Sequence, residues 1–238
     1  MGSEVMDNDN TLWELINTSV ESGMLYDIAA VVHYLLKDKY KVARLKSKQW
    51  YTFDGIKWKT VEAGPYFDLS QVVLKKYELY SQGKTKQRTK LLQQMVVPLF
   101  EDEETSNSNK SKQIEEECTK VQTIINKLKN VSFKESLCKE CLYMFYDSQF
   151  LTNLDRIDNL VCFRNCTYDI LKKEVVESKR SNMLSIYIDL DYEPSIFEND
   201  MDNLEDIINR FMVFRKSIVK RRRPNNVYSV KFYTWNTW

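Results

Sequence analysis

The sequence predicts an α+β fold in which helices accompany a small antiparallel β-meander and a second short strand cluster. Apolar residues recur at helical spacing in several stretches, and residues 50–58 (WYTFDGIKW) alternate around an Asp-Gly pair. Glycine and proline number only five and four in 238 residues, which argues against a loop-rich all-β fold. Hydrophobic residues make up 43% of the chain, enough for a packed core.

The predicted meander lies in the N-terminal part of the chain. Residues 1–11 are expected to form a tail, and helical spacing begins at Asp27, the predicted N-cap. Residues 41–46 (KVARLK) alternate as a strand does, and two further strands flank Asp54-Gly55. An Asp-Gly pair in this setting favours a tight hairpin turn, because both turn positions need φ > 0. Three strands are about the minimum for a stable small sheet.

The middle of the chain is predicted to be helical, with one interruption. A helix is expected from about Leu69, and helical spacing returns over residues 114–128. Residues 101–112 (EDEETSNSNKSK) are polar, so they are predicted to form a loop and to be disordered. Ser132 is the expected cap of the next helix.

The second strand cluster is predicted between residues 150 and 192, before a helix over 203–219. Its expected strands are at 161–163, 168–170 and 184–188. The predicted division of the chain is a tail with a short helix at 1–24, a main domain at 25–197 with its loop near 101–112, and a helical link with a basic, aromatic tail at 198–238.

Composition excludes several classes of protein. The net charge is only +1, so the total charge gives no sign of a nucleic-acid partner. No apolar run approaches the roughly 20 residues of a membrane helix, and the acidic, polar N-terminus is no secretory signal. Five cysteines, an odd number, are typical of free thiols in a reducing intracellular compartment.

Two basic segments are candidate nucleic-acid contacts. The first comprises Lys84, Lys86, Arg88 and Lys90, and the second comprises Lys220, Arg221, Arg222 and Arg223. The alternative for the first segment is a solvated helix face, and for the second an exposed tail. Gly83-Lys84-Thr85 resembles the end of a phosphate-binding loop, but that motif needs a glycine where Glu78 stands.

Two clusters are weak candidates for metal binding. Cys138, Cys141, Cys162 and Cys166 could supply four thiolates to zinc, but the first pair lies in a helical pattern and the second has the wrong spacing. Asp189 and Asp191 would share one face of a strand, as two-metal chemistry requires, or they are a polar strand end. We favour the polar strand end and predict no metal site.

The aromatic hairpin and the only histidine have structural alternatives. Trp50, Tyr51, Phe53 and Trp58 could stack on bases, but packing against a helix is the more common role of such a hairpin. His33 lies on a predicted helix without a nearby acidic motif, which favours a histidine at the surface or core edge.

Two stretches carry a resemblance to a known family. Residues 27–58 contain a helix, Lys-Asp-Lys-Tyr and the Trp-Tyr-x-Phe-x-Gly-x-x-Trp hairpin, so the matched positions include Gly55. Residues 130–170 contain the remaining matched positions, namely Phe145, Tyr146, Asp147, Leu154, Asp155, Phe163, Asn165, Tyr168 and Asp169. Together they resemble the domain that precedes the superfamily-three helicase in poxvirus-type helicase-primases of nucleocytoplasmic large DNA viruses, a domain shared with phage and plasmid primases. One departure is Cys166, where the family has the glycine of an Asn-Gly turn.

The resemblance, over roughly residues 25–212, implies a non-catalytic accessory module of a viral DNA-replication helicase-primase. It implies support of hexamer assembly and of DNA engagement by a helicase domain absent from this chain. The chain would then be truncated before the ATPase; it would need no cofactor, because ATP and Mg serve the helicase domain. Implied partners are single-stranded or forked DNA, a helicase subunit or further copies of the chain, in the host cytoplasm or viral replication site and without a membrane. The alternative is a stand-alone DNA-binding or regulatory protein that uses the basic segments.

Overall fold

The structure is a computed structural model that describes residues 3–95, 101–197 and 200–221, with side chains over 10–93, 110–195 and 200–220. The helices are α1 (Ser3–Ser22), α2 (Leu25–Leu36), α3 (Tyr66–Asp68), α4 (Leu74–Met95), α5 (Glu101–Leu128), α6 (Val131–Met144), α7 (Phe150–Asn153), α8 (Pro194–Phe197) and α9 (Met201–Arg221). A π-helical segment, Leu69–Val73, joins α3 to α4, and a 3₁₀ turn spans Arg180–Asn182.

The predicted α+β fold class is confirmed. The strands are β1 (Tyr40–Arg44), β2 (Gln49–Phe53), β3 (Trp58–Val61), β4 (Leu160–Cys162), β5 (Thr167–Asp169) and β6 (Glu174–Val176). They form two small antiparallel sheets with the orders β1-β2-β3 and β4-β5-β6. The chain divides into two compact units, the first containing residues 1–48 and 62–146 and the second 49–61 and 147–238. The boundaries at 24/25 and 197/198 stay a prediction.

The first unit is a helical assembly. The apolar face of α1 buries Leu12, Ile16 and Val20 at four-residue spacing, and this spacing places all three on one side of a helix. Ser19 on the same helix shares a 2.7 Å hydrogen bond with the hydroxyl of Tyr77, so α1 and α4 are joined by a buried polar contact. α2 packs on α1 and α6, and α4 runs against α5.

The second unit is built around β4-β5-β6 and α9. Its larger core cluster joins residues of the sheet and the following segment to one stripe of α9. The buried members are Val161, Phe163, Tyr168, Ile186, Ile188, Leu204, Ile208, Phe211 and Ile218. The α9 members lie at positions 204, 208, 211 and 218, at intervals of one or two helical turns, which explains why a helix forms here and which side it buries.

The N-terminal region differs from the prediction in two places. α1 begins at Ser3, so the expected tail over 1–11 is helical from that residue. No glycine or proline interrupts residues 3–12, and a helix propagates readily once its packed turns are formed. Asp27 is not the N-cap of α2, because that position belongs to Met24. Asp27 lies in the first turn and accepts a hydrogen bond from Ser22 Oγ.

The hairpin between β2 and β3 has a longer turn than predicted. Phe53 pairs with Trp58, which leaves four residues in the loop. Only Gly55 has a positive φ, +105°, so the expectation that Asp54 also has φ > 0 is wrong. The Asp54 carboxylate instead accepts the backbone N–H groups of Ile56 (3.0 Å) and Lys57 (2.9 Å), and this side-chain turn replaces a two-residue turn.

The Asp54 turn predicts a pH dependence of stability. Partial burial would raise the pKa of Asp54, but the N–H groups of Lys57 and Ile56 outweigh it and hold the pKa below its ordinary value. The stabilisation is therefore complete above the unfolded-state pKa of about 4 and is lost as pH falls through the lower folded-state pKa. In urea unfolding between pH 6 and 2.5, Asp54→Ala is expected to flatten this acid-side loss. A slope identical to that of the wild type would contradict the assignment.

The expected loop over 101–112 is helical, because α5 begins at Glu101. Four acidic residues open the segment, and negative charge at a helix N-terminus is favoured by the helix dipole. The cap of α6 is also displaced from its predicted position. Asn130, not Ser132, precedes the helix, and its side-chain oxygen accepts the N–H of Phe133 at 3.2 Å.

The predicted strand over 184–188 is extended chain without a paired partner strand. Its side chains alternate as predicted, with Leu184, Ile186 and Ile188 buried. Its backbone makes separated single bonds, because Trp58 N donates to Leu184 O (2.7 Å) and Ile188 N donates to Cys162 O (2.8 Å). The third strand of this sheet is β6, which the sequence analysis missed because the strand has only three residues and faces mostly solvent.

Candidate functional site

The basic segment of α4 faces the acidic side of α5. Lys84 Nζ lies 2.7 Å from Glu117, and Arg88 Nη2 lies 2.7 Å from Glu115. Burial would lower the pKa of Lys84, but its hydrogen bonds to Glu117 and Tyr80 outweigh that and raise the pKa. Half of the segment is thus neutralised within the first unit. Lys86 and Lys90, one turn apart, point to solvent.

The second basic segment continues from the end of α9. Lys220 is an exposed residue of this helix, and Arg221 is its last residue. The side chain of Arg221, and Arg222 and Arg223 as a whole, lie outside the described residues. The prediction that this segment contacts nucleic acid therefore stays a prediction.

The aromatic residues of the hairpin are mostly turned away from solvent. Trp50, Tyr51 and Trp58 are buried, and Phe53 is half-buried with its ring centroid 5.6 Å from that of Trp58. Trp58 also packs edge-on against Phe150 at 5.1 Å and donates from Nε1 to Arg180 O at 3.1 Å. This geometry favours packing over base stacking, because the ring faces needed by a base are covered.

Phe145, Tyr146 and Asp147 end α6 and start the next turn. Phe145 is buried, and its ring meets that of His33 at 4.9 Å. Its carbonyl accepts the N–H of Val42 at 2.9 Å, which ties the end of α6 to β1. Burial and the nearby Lys41 and Lys37 lower the pKa of His33, so the neutral form dominates near pH 7. His33 thus lies at the core edge, as the sequence favours.

Asp155 is a buried carboxylate that holds extended chain in place. It is 2% exposed and has φ +61°, in the left-handed region. Its Oδ1 accepts the N–H groups of Ser185 (2.6 Å) and Ile186 (3.0 Å), and its Oδ2 accepts the Ser185 hydroxyl at 2.6 Å. These bonds take the place of a β-ladder at 184–188, which explains why that segment does not pair as a strand.

Asn165 and Asp169 act in the same way at the two ends of the β4-β5 hairpin. The Asn165 amide donates to Tyr192 O (3.1 Å) and accepts from Tyr192 N (2.8 Å), as a neighbouring strand would. Asp169 accepts the N–H groups of Leu171 and Lys172 and the Asn159 amide. Phe163 and Tyr168 are buried with their rings packed against Tyr192.

The turn at Asn165-Cys166 is rebuilt and not strained. Cys166 stands where the family has glycine, yet it is not among the described residues with positive φ. Phe163 N donates to Cys166 O at 2.8 Å and closes the turn. A side chain is tolerated because this turn does not use the left-handed conformation that glycine favours.

The four cysteines fall into two pairs. Cys138 and Cys141 belong to the first unit, and Cys162 and Cys166 to the second. Among the described residues, no group of three or more potential ligands lies together. Burial raises the pKa of Cys138 to about 11 and that of Cys162 to about 12.

Asp189 and Asp191 are bridged by an arginine that the sequence analysis did not single out. Arg164 Nη2 lies 3.1 Å from Asp189, and Nη1 lies 3.2 Å from Asp191. Arg164 also donates to the backbone oxygen of Asp189 at 3.0 Å. Arg164 thus pairs with both carboxylates, which favours the polar strand end over a two-metal site.

A second missed residue is Arg215, which is 1% exposed on α9. It donates to the carbonyl oxygens of Leu160 (2.6 Å) and Ile157 (2.8 Å), and it approaches Asp158 at 3.5 Å. A signal existed in the sequence, because residues 204, 208, 211, 215 and 218 share one helical stripe and only position 215 is charged. The polar residues Asp155, Asn165, Asp169 and Arg215 of the second unit thus form hydrogen bonds that fix the backbone of neighbouring segments.

No helix in the described ranges combines the length and apolar character that crossing a membrane requires.

Comparisons with known proteins give the family. A protein of Acanthamoeba polyphaga mimivirus, named "Putative helicase L207/L206", is 24% identical over 192 residues. The alignment covers 78% of this chain and 18% of the mimivirus protein, so the chain spans about a fifth of that relative's length.

The sequence model of the D5 N terminal like family matches residues 29–213. This range contains the hairpin, Asp155, Asn165 and Asp169, whose contacts are described above. The matched range covers more than half of the chain and agrees with the range of roughly 25–212 over which the sequence resembles viral helicase-primases. The chain therefore belongs to the D5 N terminal like family.

Proposed function

We propose that this chain is a non-catalytic accessory module of a viral DNA-replication helicase-primase. It supports hexamer assembly of a helicase domain located outside the chain and assists its engagement with single-stranded or forked DNA. ATP and Mg serve that helicase domain. Its place of action is the host cytoplasm or the viral replication site.

One observation carries the proposal: the polar residues of the family motif are occupied in holding backbone. Asp155, Asn165 and Asp169 each make two or more hydrogen bonds within the second unit. Catalytic acids and bases must be within reach of a substrate, whereas these groups are aimed at N–H and carbonyl groups of the chain itself. The family match and the mimivirus relative support the helicase context.

The exposed side of α9 is the surface of the second unit that we assign to the helicase partner. Val213 is 72% exposed on this helix, among exposed charged neighbours such as Arg210 and Lys216. At protein interfaces an apolar centre is surrounded by a polar rim. β6 in the same unit offers a second exposed valine, Val175, as a matched control.

Co-assembly with the ATPase-bearing polypeptide from the same source tests the proposal. Mass photometry without DNA is expected to show the chain bound to the helicase ring. Val213→Asp should weaken this association at least tenfold, because burying an unpaired carboxylate at an interface is costly, whereas Val175→Asp should leave it within about twofold. Both variants should unfold at the wild-type temperature, since both positions are exposed.

Absence of any complex at tens of micromolar would contradict the proposed function. The alternative, a stand-alone DNA-binding protein, makes a different prediction for DNA binding by the chain without a helicase. It requires tight DNA binding by the monomer with a steep salt dependence, because several lysines and arginines would each release counterions. The pairing of Lys84 with Glu117 and of Arg88 with Glu115 argues against that alternative at α4.

A further inference from the structure

A depression of about 370 Å³ lies between α1 and α4 in the first unit. Its lining residues are Trp13, Leu79, Tyr80, Gln82, Gly83, Lys84, Lys86 and Gln87. No residue of the family motif belongs to it. We propose that this depression binds one unpaired base of a single-stranded nucleic acid, with the adjoining phosphates on Lys86 and Lys90.

The aromatic side of the depression is fixed in place. The ring centroids of Trp13 and Tyr80 lie 6.2 Å apart with an interplanar angle of 28°. The Tyr80 hydroxyl donates to Asn17 Oδ1 at 2.7 Å, so α1 and α4 hold the stacked pair together. Trp13 is only half-buried and lines the open space. We call the stacked pair of Trp13 and Tyr80 the aromatic ledge. A nucleic-acid base can stack on such a preformed aromatic surface, and every base has a face suited to stacking.

Gly83 keeps the space above this ledge open. It lies inside α4, where glycine weakens a helix relative to alanine. Such a glycine is usually explained by a close neighbour, but a Cβ at this position would meet nothing within 4 Å. Gly83 therefore borders open space that a larger side chain would enter. The volume lies within the range of small-ligand sites and admits one base with its sugar.

Two lysines of α4 supply positive charge beside the depression. Lys84 is neutralised by Glu117 at 2.7 Å, so it supplies little net attraction. Lys86 lines the depression and is exposed, and Lys90 follows one turn later on the same face of α4. Two lysines next to an aromatic ledge match the alternation of phosphates and bases along a single strand. Gln82 and Gln87 add uncharged hydrogen-bonding groups at the edge.

This inference deepens the proposed function, because it assigns the DNA engagement to particular residues. The two can fail independently, since co-assembly with the helicase is measured without DNA and base binding is measured without helicase. The salt dependence also separates this site from a general basic patch. Two phosphate contacts predict a log–log slope of about −1.4 for a single strand.

The test is fluorescence anisotropy of the full chain with a labelled 12-mer of thymidine and with an abasic 12-mer of equal charge. The wild type is expected to bind the thymidine strand more tightly than the abasic strand. Gly83→Leu fills the depression with a good helix former and should weaken thymidine binding about tenfold, which removes the difference between the strands. Thr85→Leu, the matched control, places the same side chain at an exposed position of α4 outside the lining and should bind as the wild type does.

Three results would overturn the inference. They are equal binding of the two strands by the wild type, unchanged binding by Gly83→Leu with a wild-type unfolding temperature, or no binding at 100 µM protein, about the weak end of non-specific affinities. Trp13→Leu provides a second variant, because it removes the ledge without filling the space. It should reduce the preference for the thymidine strand as Gly83→Leu does, and a full preference in this variant would also overturn the inference.

Discussion

Replacing Arg215 by alanine is expected to lower the free energy of unfolding by about 3–5 kcal/mol, the cost typical of breaking a buried charged network. The guanidinium is 1% exposed and donates to the carbonyls of Leu160 and Ile157. Burial lowers the pKa of Arg215, while Asp155 and Asp158 act in the opposite direction, and the group stays charged near pH 7. Its removal leaves a cavity and two carbonyls without their donors. Urea and thermal unfolding followed by circular dichroism measure the loss.

Arg210→Ala is the matched control for Arg215. Arg210 lies on the same helix, has a side chain that is 77% exposed, and pairs with Asp206 four residues earlier at 2.8 Å. Exposed pairs of this kind contribute little, so a change below about 0.5 kcal/mol is expected. Arg215→Lys keeps the charge but loses the planar fork that bonds two carbonyls, and an intermediate loss is expected. Equal effects of Arg215→Ala and Arg210→Ala would refute the role assigned to the buried guanidinium.

Replacing Asp155 by alanine is expected to cost about 3–4 kcal/mol, since buried N–H groups lose a charged acceptor. The N–H groups of Ser185 and Ile186 and the Ser185 hydroxyl all depend on this carboxylate. Alanine would also have to adopt φ +61°, a conformation that residues other than glycine, asparagine and aspartate rarely adopt. Chemical unfolding of the full chain gives the free energy, and hydrogen exchange at Ser185 and Ile186 gives the local effect.

Three further variants separate the causes at Asp155. Asp155→Asn tolerates the left-handed conformation and keeps one acceptor oxygen, so a loss of about half that of alanine is expected. Asp155→Gly relieves the backbone but loses every acceptor, and it should lie between asparagine and alanine. Asp158→Ala, at an aspartate whose side chain is 76% exposed, should change stability by less than about 1 kcal/mol. If glycine matched the wild type, the hydrogen bonds to 185–186 would not be the source of the effect.

The sequence by itself determined those elements whose pattern of apolar residues lies within the element, such as α9 and the hairpin of β2 and β3. α9 follows from apolar spacing, which alone selects the buried side of a helix, and the same spacing places Arg215 on that side. The hairpin of β2 and β3 follows from alternation around Asp54-Gly55, although the side chain of Asp54 lengthens the turn. The family resemblance rests on residues 27–58, which contain this hairpin, and on residues 130–170, and the match over 29–213 confirms it.

Tertiary contacts decided the rest, because the deciding partners are distant in sequence. Residues 184–188 alternate as a strand does, yet Asp155, thirty residues away, takes the N–H groups that a neighbouring strand would use. In the sequence, the basic residues of α4 resemble a nucleic-acid-binding patch. In the structure, Glu115 and Glu117 of α5 neutralise two of these residues. The depression beside Trp13 exists only once α1 lies on α4, since Gly83 and Trp13 are seventy residues apart. Periodicity thus determined which side the amphipathic segments bury, whereas strand pairing, charge pairing and side-chain hydrogen bonds depended on which elements came together.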